Sequence, residues 1–377
     1  LTTGPERVIE LRDELHLLEG ICKAVSHILH TCPPSEAGAY FVRVVQPIAT
    51  RLGDPNLTGP QASAEVDRLT VVVRFLVAHR QDANPTMEIL RICWPMLDAL
   101  SQRYPNDTML VEKLCRLHKH AIRTCGSTQY APLFDTLAEL IVRSFNVSHQ
   151  SPFLYLASIC ITEFGRNQHY VPRLYQLIQS LSTSAFQVLQ DLPSFSSHPD
   201  ILEELFYLMG RVMSYCPDPL VASPLLAALF DCAAIGLQVA HRDSFRGVLT
   251  FLENTILYGK DLAHRPGVQR YQASLENILS EQGQAVVKNL VKSLMGELPS
   301  YSIDRENGSI VGTLYHWRFL SPTLCKHWIR EVVPPEARDF LAAVDNHGTT
   351  RKEFSSVARS FRAACERQRR LKTSTTT

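Results

Sequence analysis

One stretch of the sequence carries cationic side chains at helical intervals. These side chains are Lys113, Arg116, Lys119, His120 and Arg123. At 3.6 residues per turn they share one face of a helix, and Leu110, Leu114, Leu117 and Ala121 fall on the opposite face. A row of like charges repels itself unless an anion or solvent relieves the repulsion. The chemistry that this pattern predicts is the binding of phosphate or carboxylate groups.

The same row has a simpler interpretation as a solvated helix face. On the pattern alone, an ordinary surface with Lys and Arg is the more frequent explanation. His118 and His120 are expected to add positive charge at mildly acidic pH. Arg74, His79 and Arg80 end a Val-rich helix and could widen the cationic surface. For His79 and Arg80, a cation that complements the helix dipole is an equally good explanation, and none of the three is included in the predicted site.

Other residue groups that perform chemistry are absent from the sequence. The ten cysteines are scattered singly, with no Cys-x-x-Cys pair and no Cys/His cluster at zinc-ligand spacing. The string His241-Arg-Asp243 begins like a kinase catalytic loop, but no Gly-rich loop or Asp-Phe-Gly accompanies it. We therefore expect no enzyme activity, no cofactor and no bound metal.

Charge and hydropathy limit the possible partners. The chain has 38 basic and 37 acidic residues, whereas a general nucleic-acid coat protein is strongly basic, so no direct DNA binding is expected. No apolar run approaches a membrane span, and the first residues do not form a signal peptide. Single cysteines within helical patterns favour a reducing, intracellular compartment. Because residue 1 is Leu, we expect a fragment or a processed chain.

The apolar pattern predicts helices almost throughout. Residues 6–30 carry apolar side chains every three or four positions. Similar segments follow, among them 108–125, 219–240 and 268–296, each closed by Pro, Gly, Asn or Asp. Helix pairs recur about every 40 to 47 residues, which is the period of HEAT repeats. The sequence therefore predicts an all-α fold: a HEAT-repeat α-solenoid of antiparallel helix pairs in a right-handed superhelix. A large compact helical bundle is the alternative.

The predicted domain organisation is a single array over residues 1–377 with about eight helix pairs. Residues 301–312 are rich in Gly, Ser, Asp and Asn and are expected to form an irregular connection. Residues 373–377 are expected to be a disordered tail.

Several segments, in collinear order over most of the chain, resemble the C-terminal part of transportin-SR. The segments are Trp94-Pro-Met-Leu97, residues 151–165, Ala185-Phe-Gln-Val-Leu189, residues 198–208 and His241-Arg-Asp243 with Phe251-Leu252. That family comprises importin-β-like nuclear import receptors for serine/arginine-rich proteins, with fungal relatives that carry RNA-binding proteins. The resemblance implies a karyopherin that shuttles between cytoplasm and nucleus, contacts nuclear pore proteins and releases cargo when the GTP form of Ran binds. It also implies that the main Ran site lies outside this chain.

The resemblance gives the cationic row a function. In the family, an arginine-rich helix on the concave face binds phosphoserines of the cargo, and its arginine positions correspond here to Lys113, Arg116, Lys119 and Arg123. Two of these are Lys, which lacks the planar fork that holds phosphate in a bidentate manner. We therefore predict binding of Ser/Arg-rich, phosphorylated cargo. The alternative is a non-transport scaffold that binds acidic protein segments or RNA.

Overall fold

The computed structural model describes residues 9–31, 34–76, 85–262, 269–298 and 307–374. These residues form nineteen α-helices and one 3-10 turn at Ala131–Leu133, and they contain no β-strand. The helices are α1 (Leu11–Thr31), α2 (Pro34–Leu52), α3 (Gly59–Phe75), α4 (Pro85–Arg103), α5 (Thr108–Tyr130), α6 (Phe134–Ser148), α7 (Pro152–Phe164), α8 (Val171–Val188), α9 (Leu192–Ser197), α10 (Pro199–Tyr215), α11 (Pro217–Val221), α12 (Leu225–Gly236), α13 (Arg242–Leu262), α14 (Gln269–Glu281), α15 (Gly283–Met295), α16 (Asn307–Leu320), α17 (Pro322–Arg330), α18 (Arg338–Asp345) and α19 (Arg351–Ser374).

The chain divides into two compact units, Leu1–Phe164 and Gly165–Thr377. In the first unit, α1, α3, α5 and α7 pack side by side in one layer, and α2, α4 and α6 pack in a second layer. Each helix of the second layer also contacts the next helix along the chain. The unit is thus a stack of helix pairs, each of which buries its apolar faces against its neighbours.

The second unit follows the same plan. Helices α10, α13, α16 and α19 pack in sequence along one layer, and α9, α12, α15 and α17 form the other. Aromatic side chains link the layers, since Phe230 of α12 lies 6.0 Å from both Phe251 of α13 and Trp317 of α16, measured between ring centroids. The predicted all-α fold of stacked HEAT/TPR-type helix pairs is confirmed. The hand of the superhelix stays a prediction.

Two of the predicted helices are divided. Residues 268–296 were expected to form one helix, but α14 ends at Glu281 and α15 begins at Gly283. A Cβ atom on Gly283 would lie 2.8 Å from Trp317 and 3.0 Å from Trp328, so the break brings the backbone close to two buried indole rings. Likewise, the predicted helix at 219–240 is split into α11 and α12 at Pro224.

The predicted irregular connection at 301–312 is wrong for its second half. Residues 307–312 begin α16, because Ile310, Val311 and Leu314 place apolar side chains at helical spacing into the core. Residues 301–306 lie outside the described residues. At the other end, residues 373 and 374 of the expected disordered tail belong to α19, and residues 375–377 lie outside the described residues. The single predicted array corresponds to two compact units.

Candidate functional site

The cationic row lies on α5, in the middle of its layer between α3 and α7. The helix begins where the Asp107 side chain accepts a hydrogen bond from the backbone N–H of Leu110, over 3.0 Å. The predicted apolar face is buried, with Leu110, Leu114, Leu117 and Ala121 all 3% exposed or less. Gly126 has a φ of 66°, which kinks α5 one turn before its end. The regular helix that carries the cationic row therefore ends just after Arg123.

Lys113 forms an ion pair with a side chain of the neighbouring helix. Its Nζ lies 2.7 Å from Oδ2 of Asp67 on α3, and only 18% of the Lys113 side chain and 19% of the Asp67 side chain are exposed. A half-buried pair of this kind is shielded from solvent and joins α5 to α3. Lys113 is therefore already neutralised by the protein. The sequence analysis did not identify Asp67, because it lies 46 positions away from Lys113 in the chain.

Arg116 also has a carboxylate partner, but an exposed one. Its Nη2 lies 2.6 Å from Oε1 of Glu112, one turn earlier on α5, and both side chains are about half exposed. Exposed pairs of this type contribute about 0.3–0.5 kcal/mol. Such a weak pair can exchange its partner for a stronger anion at little cost.

Lys119 and Arg123 form no ion pair with any described residue. The Lys119 ammonium lies 5.3 Å from the centre of the Tyr155 ring on α7, a cation–π contact that leaves its charge uncompensated. Arg123 is exposed, one turn further along the same face. The C-terminal half of the row thus remains available to an external anion.

Arg74 of α3 adds a cation that the sequence analysis left out of the site. Its guanidinium lies over the Phe75 ring, with Cζ 4.8 Å from the ring centre, and it forms no ion pair within the described part of the chain. Its charge acts on His120 together with those of Lys119 and Arg123. We call Arg74, Lys119 and Arg123 the open cation cluster. Only the packing of α3 against α5 brings Arg74 into this cluster.

The two histidines of α5 do not add positive charge near neutral pH. Burial, and then the charges of Lys119, Arg74, Arg123 and Arg116, lower the pKa of His120 to about 4. Burial alone lowers the pKa of His118 to about 4, and its ring lies against Trp94 at 5.1 Å. The expectation that they charge at mildly acidic pH is therefore wrong. As a neutral imidazole, His120 can still donate or accept one hydrogen bond at the centre of the cluster.

The described residues offer no metal or nucleophilic site. No group of three His, Cys, Asp or Glu side chains among them is arranged to hold a metal ion. The cysteines within the described segments are free thiols, all buried except the half-buried Cys365. Burial raises the pKa of Cys93 and of Cys216 to about 11, which disfavours the reactive thiolate. A search of the described helices finds none that is long and apolar enough to cross a membrane.

Comparison with known proteins finds a similarity that includes α5. Residues 84–189, which run from α4 to α8 and include α5, match the family model described as the transportin-3/importin-13 fourth TPR domain. The resemblance to the transportins is confirmed. The relatives described below are named importins and transportins, which are transport receptors, and this agrees with the prediction that the chain is not an enzyme.

The individual relatives are similar over most of this chain. Transportin MOS14 of Arabidopsis thaliana is 27% identical over 343 residues, which cover 90% of this chain and 34% of that protein. Importin-13 of Homo sapiens is 20% identical over 256 residues, which cover 68% of this chain and 25% of that protein. Importin-13 of Gallus gallus is 20% identical over 239 residues, which cover 62% of this chain and 24% of that protein. The chain thus spans about a third of the length of these relatives, or less.

Proposed function

We propose that this chain is the cargo-binding part of a nuclear import receptor and that the open cation cluster binds phosphoserines of a Ser/Arg-rich protein. The observation that carries the proposal is a group of three cations, none in an ion pair with a described residue, on two adjacent helices of the unit that contains most of the matched transportin-3/importin-13 segment. A phosphoserine carries close to two negative charges at neutral pH and three acceptor oxygens. One phosphate can therefore engage two or three of these cations at once.

The cations differ in what each contributes. Arg74 and Arg123 carry planar guanidinium groups that can hold two phosphate oxygens each, whereas Lys119 acts as a point charge. Arg116 joins the site when it exchanges Glu112 for the ligand. Lys113 positions α5 through Asp67 and does not contact the cargo. In this proposal the two Lys substitutions at the family's arginine positions are offset by Arg74, which comes from α3.

Salt dependence and partners follow from the same chemistry. Contacts among exposed charges are screened over about 10 Å at 0.1 M ionic strength, so cargo binding weakens as salt rises.

The complete receptor would shuttle between cytoplasm and nucleus, contact nuclear pore proteins and release its cargo when the GTP form of Ran binds. In this proposal the main Ran site belongs to a part of the receptor that the chain does not include.

The test compares a phosphorylated Ser/Arg-repeat peptide with its unphosphorylated form by fluorescence anisotropy at two salt concentrations. We expect the Arg74→Ala, Lys119→Ala, Arg123→Ala triple variant to bind the phosphorylated peptide about 100-fold more weakly, because each charge-assisted hydrogen bond contributes about 1 kcal/mol or more. The matched control is Arg91→Ala, an exposed arginine on α4 in the other layer of the same unit, which should bind like wild type.

Two results would contradict the proposal. Equal binding of the two peptides would mean that phosphate is not recognised. Binding of the phosphorylated peptide by the triple variant as tightly as by wild type would mean that the cationic row of α5 is an ordinary solvent-exposed surface. If a poly-aspartate peptide or an RNA hairpin bound α5 better than the phosphopeptide, the non-transport scaffold would be the better interpretation.

A further inference from the structure

A polar cleft lies in the second unit, away from every residue of the open cation cluster in the sequence. Its volume is about 570 Å³, and it opens where the last turns of α10 and α13 meet α11 and the start of α14. Three tyrosines, two aspartates and an asparagine supply its polar groups. These residues are Tyr215, Asp218, Asn254, Tyr258, Asp261 and Tyr271.

The carboxylates of the cleft are not neutralised by the protein. Asp218 accepts a hydrogen bond from the hydroxyl of Tyr258 over 2.6 Å, which fixes one carboxylate oxygen and leaves the other available. Asp261 is exposed in the last turn of α13, and neither aspartate forms an ion pair with a described residue. The two aspartates therefore line one cleft without an ion-pair partner among the described residues.

The backbone adds to this negative potential. The lining residues Ser214 and Tyr215 belong to the last turn of α10, and Asp261 belongs to the last turn of α13. Carbonyl groups in the last turn of a helix lack intrahelical partners, and the C-terminal end of a helix carries a partial negative charge. Both helix ends favour a cation in the cleft.

Two tyrosines of the cleft already stack with an arginine of the chain itself. Cζ of Arg166 lies 5.1 Å from the centre of the Tyr215 ring, and Cζ of Arg270 lies 4.5 Å from that of Tyr271. A guanidinium stacks on such a ring through dispersion and cation–π attraction. These two internal arginines occupy the rings without pairing with either aspartate.

We propose that this cleft binds the guanidinium group of an arginine side chain presented by a protein partner. The planar fork of the ligand would bind the Asp218 carboxylate through two N–H groups, with Asp261 and the helix ends completing its charge balance. The side-chain oxygen of Asn254 accepts no hydrogen bond from a described residue, because only its Nδ2 is engaged, by the Gly210 carbonyl and by Ser214. It provides one further acceptor for a guanidinium N–H.

The cleft should prefer arginine to lysine. A lysine ammonium is compact and strongly hydrated, and it cannot form the two parallel hydrogen bonds that a guanidinium forms with a carboxylate. The site recognises positive charge, whereas the open cation cluster recognises negative charge. This inference goes beyond the proposed function and does not depend on it.

The test uses a short blocked peptide with one arginine and no phosphate or carboxylate, so that α5 has no ligand. Met213 lines the cleft, whereas Met109 lies on α5, and the six methionines of the chain allow both to be followed by methyl NMR. We expect the Met213 signal to shift saturably while Met109 stays fixed. The matching lysine peptide should bind about fivefold more weakly.

Variants make the assignment specific. Asp218→Asn keeps an acceptor for Tyr258 but removes the charge, and Asp261→Asn changes an exposed side chain, so each should weaken arginine binding about tenfold in a folded protein. The matched control is Glu281→Gln, an exposed carboxylate of α14 outside the cleft, which should bind like wild type. An unmoved Met213 signal, wild-type binding by both Asp variants, or an equal loss in Glu281→Gln would overturn the proposal.

Discussion

The basic face of α5 can be compared with the acidic face that Asp200, Glu203 and Glu204 of α10 form with Asp243 of α13. Charge crowding shifts pKa values in opposite directions on the two faces. On α5, burial and four neighbouring cations lower the pKa of His120 to about 4, so that it remains neutral. On α10, burial together with Glu203 and Asp200 raises the pKa of Glu204 to about 7, so that it holds its proton near neutral pH. In both regions burial is the first cause and like charges add to it. On each face, the neutral form of the buried group, His120 or Glu204, lowers the repulsion among the like charges around it.

The difference between the two regions lies in what happens to the other charges. On α5, Lys113 and Arg116 have internal partners, and the open cation cluster does not. On the acidic face, Glu203 has a raised pKa caused first by burial and then by Asp243, with His241 opposing the shift. The internal pairs explain why a row that looks uniform in the sequence divides into a half that is ion-paired within the protein and a half that is not.

The largest effect is expected from Glu204. Its pKa is raised from 4.5 to about 7 by folding, so the folded protein binds more protons in this range and the free energy of unfolding falls as pH rises from about 4.5 to about 7. Glu204→Gln removes that loss and should stabilise the protein at pH 8 by about 1 kcal/mol, a value reduced for partial solvent screening. Urea denaturation at pH 5 and pH 8 measures it.

The control for this change is Glu281→Gln, an exposed carboxylate of α14, which should leave the pH profile unchanged. A Glu204→Gln protein whose stability depends on pH as strongly as that of wild type would mean that Glu204 does not hold its proton.

The next effect separates the two halves of α5. Lys113→Ala leaves Asp67 as a half-buried charge without its partner and should lower the free energy of unfolding by about 1 kcal/mol. Arg116→Ala removes only an exposed pair and should change it by less than about 0.5 kcal/mol. Chemical denaturation followed by circular dichroism compares them. Equal losses in the two variants would show that the basic row is uniform after all.

The smallest effect concerns His120 itself. Because its folded pKa is below its ordinary value of 6.5, the folded protein binds fewer protons, and stability falls as pH drops from about 6.5 to about 4. Arg74→Ala should raise the pKa of His120 by about half a unit, since burial remains the main cause. NMR titration of the imidazole protons measures the shift. An unchanged pKa would place Arg74 too far from His120 to share a ligand with it.

Much of the fold could be predicted from the sequence because it depends on local periodicity. The apolar spacing at Leu110, Leu114, Leu117 and Ala121 predicted the buried face of α5, and Asp107 caps the helix near the predicted start. Residues 307–312 were predicted incorrectly because their glycines suggested a loop, whereas burial of Ile310 and Val311 against the core outweighs that local preference.

The candidate site was predictable only in part. Position along the helix identified which cations share a face, but it did not identify the partners that lie on other helices. Asp67 and Arg74 are both on α3, and one neutralises a predicted site residue while the other adds a cation. The arginine-binding cleft gave no signal in the sequence, since its polar residues are spread from Tyr215 to Tyr271 over four helices.

The sequence by itself therefore determined the helices, their pairing and the row of cations on α5, because each depends on residues within a few turns of one another. The tertiary structure decided which of those cations are uncompensated, which histidines stay neutral and where aspartates and tyrosines converge. These properties depend on burial and on the distance between charges. Both are set by packing between helices that are remote in the chain.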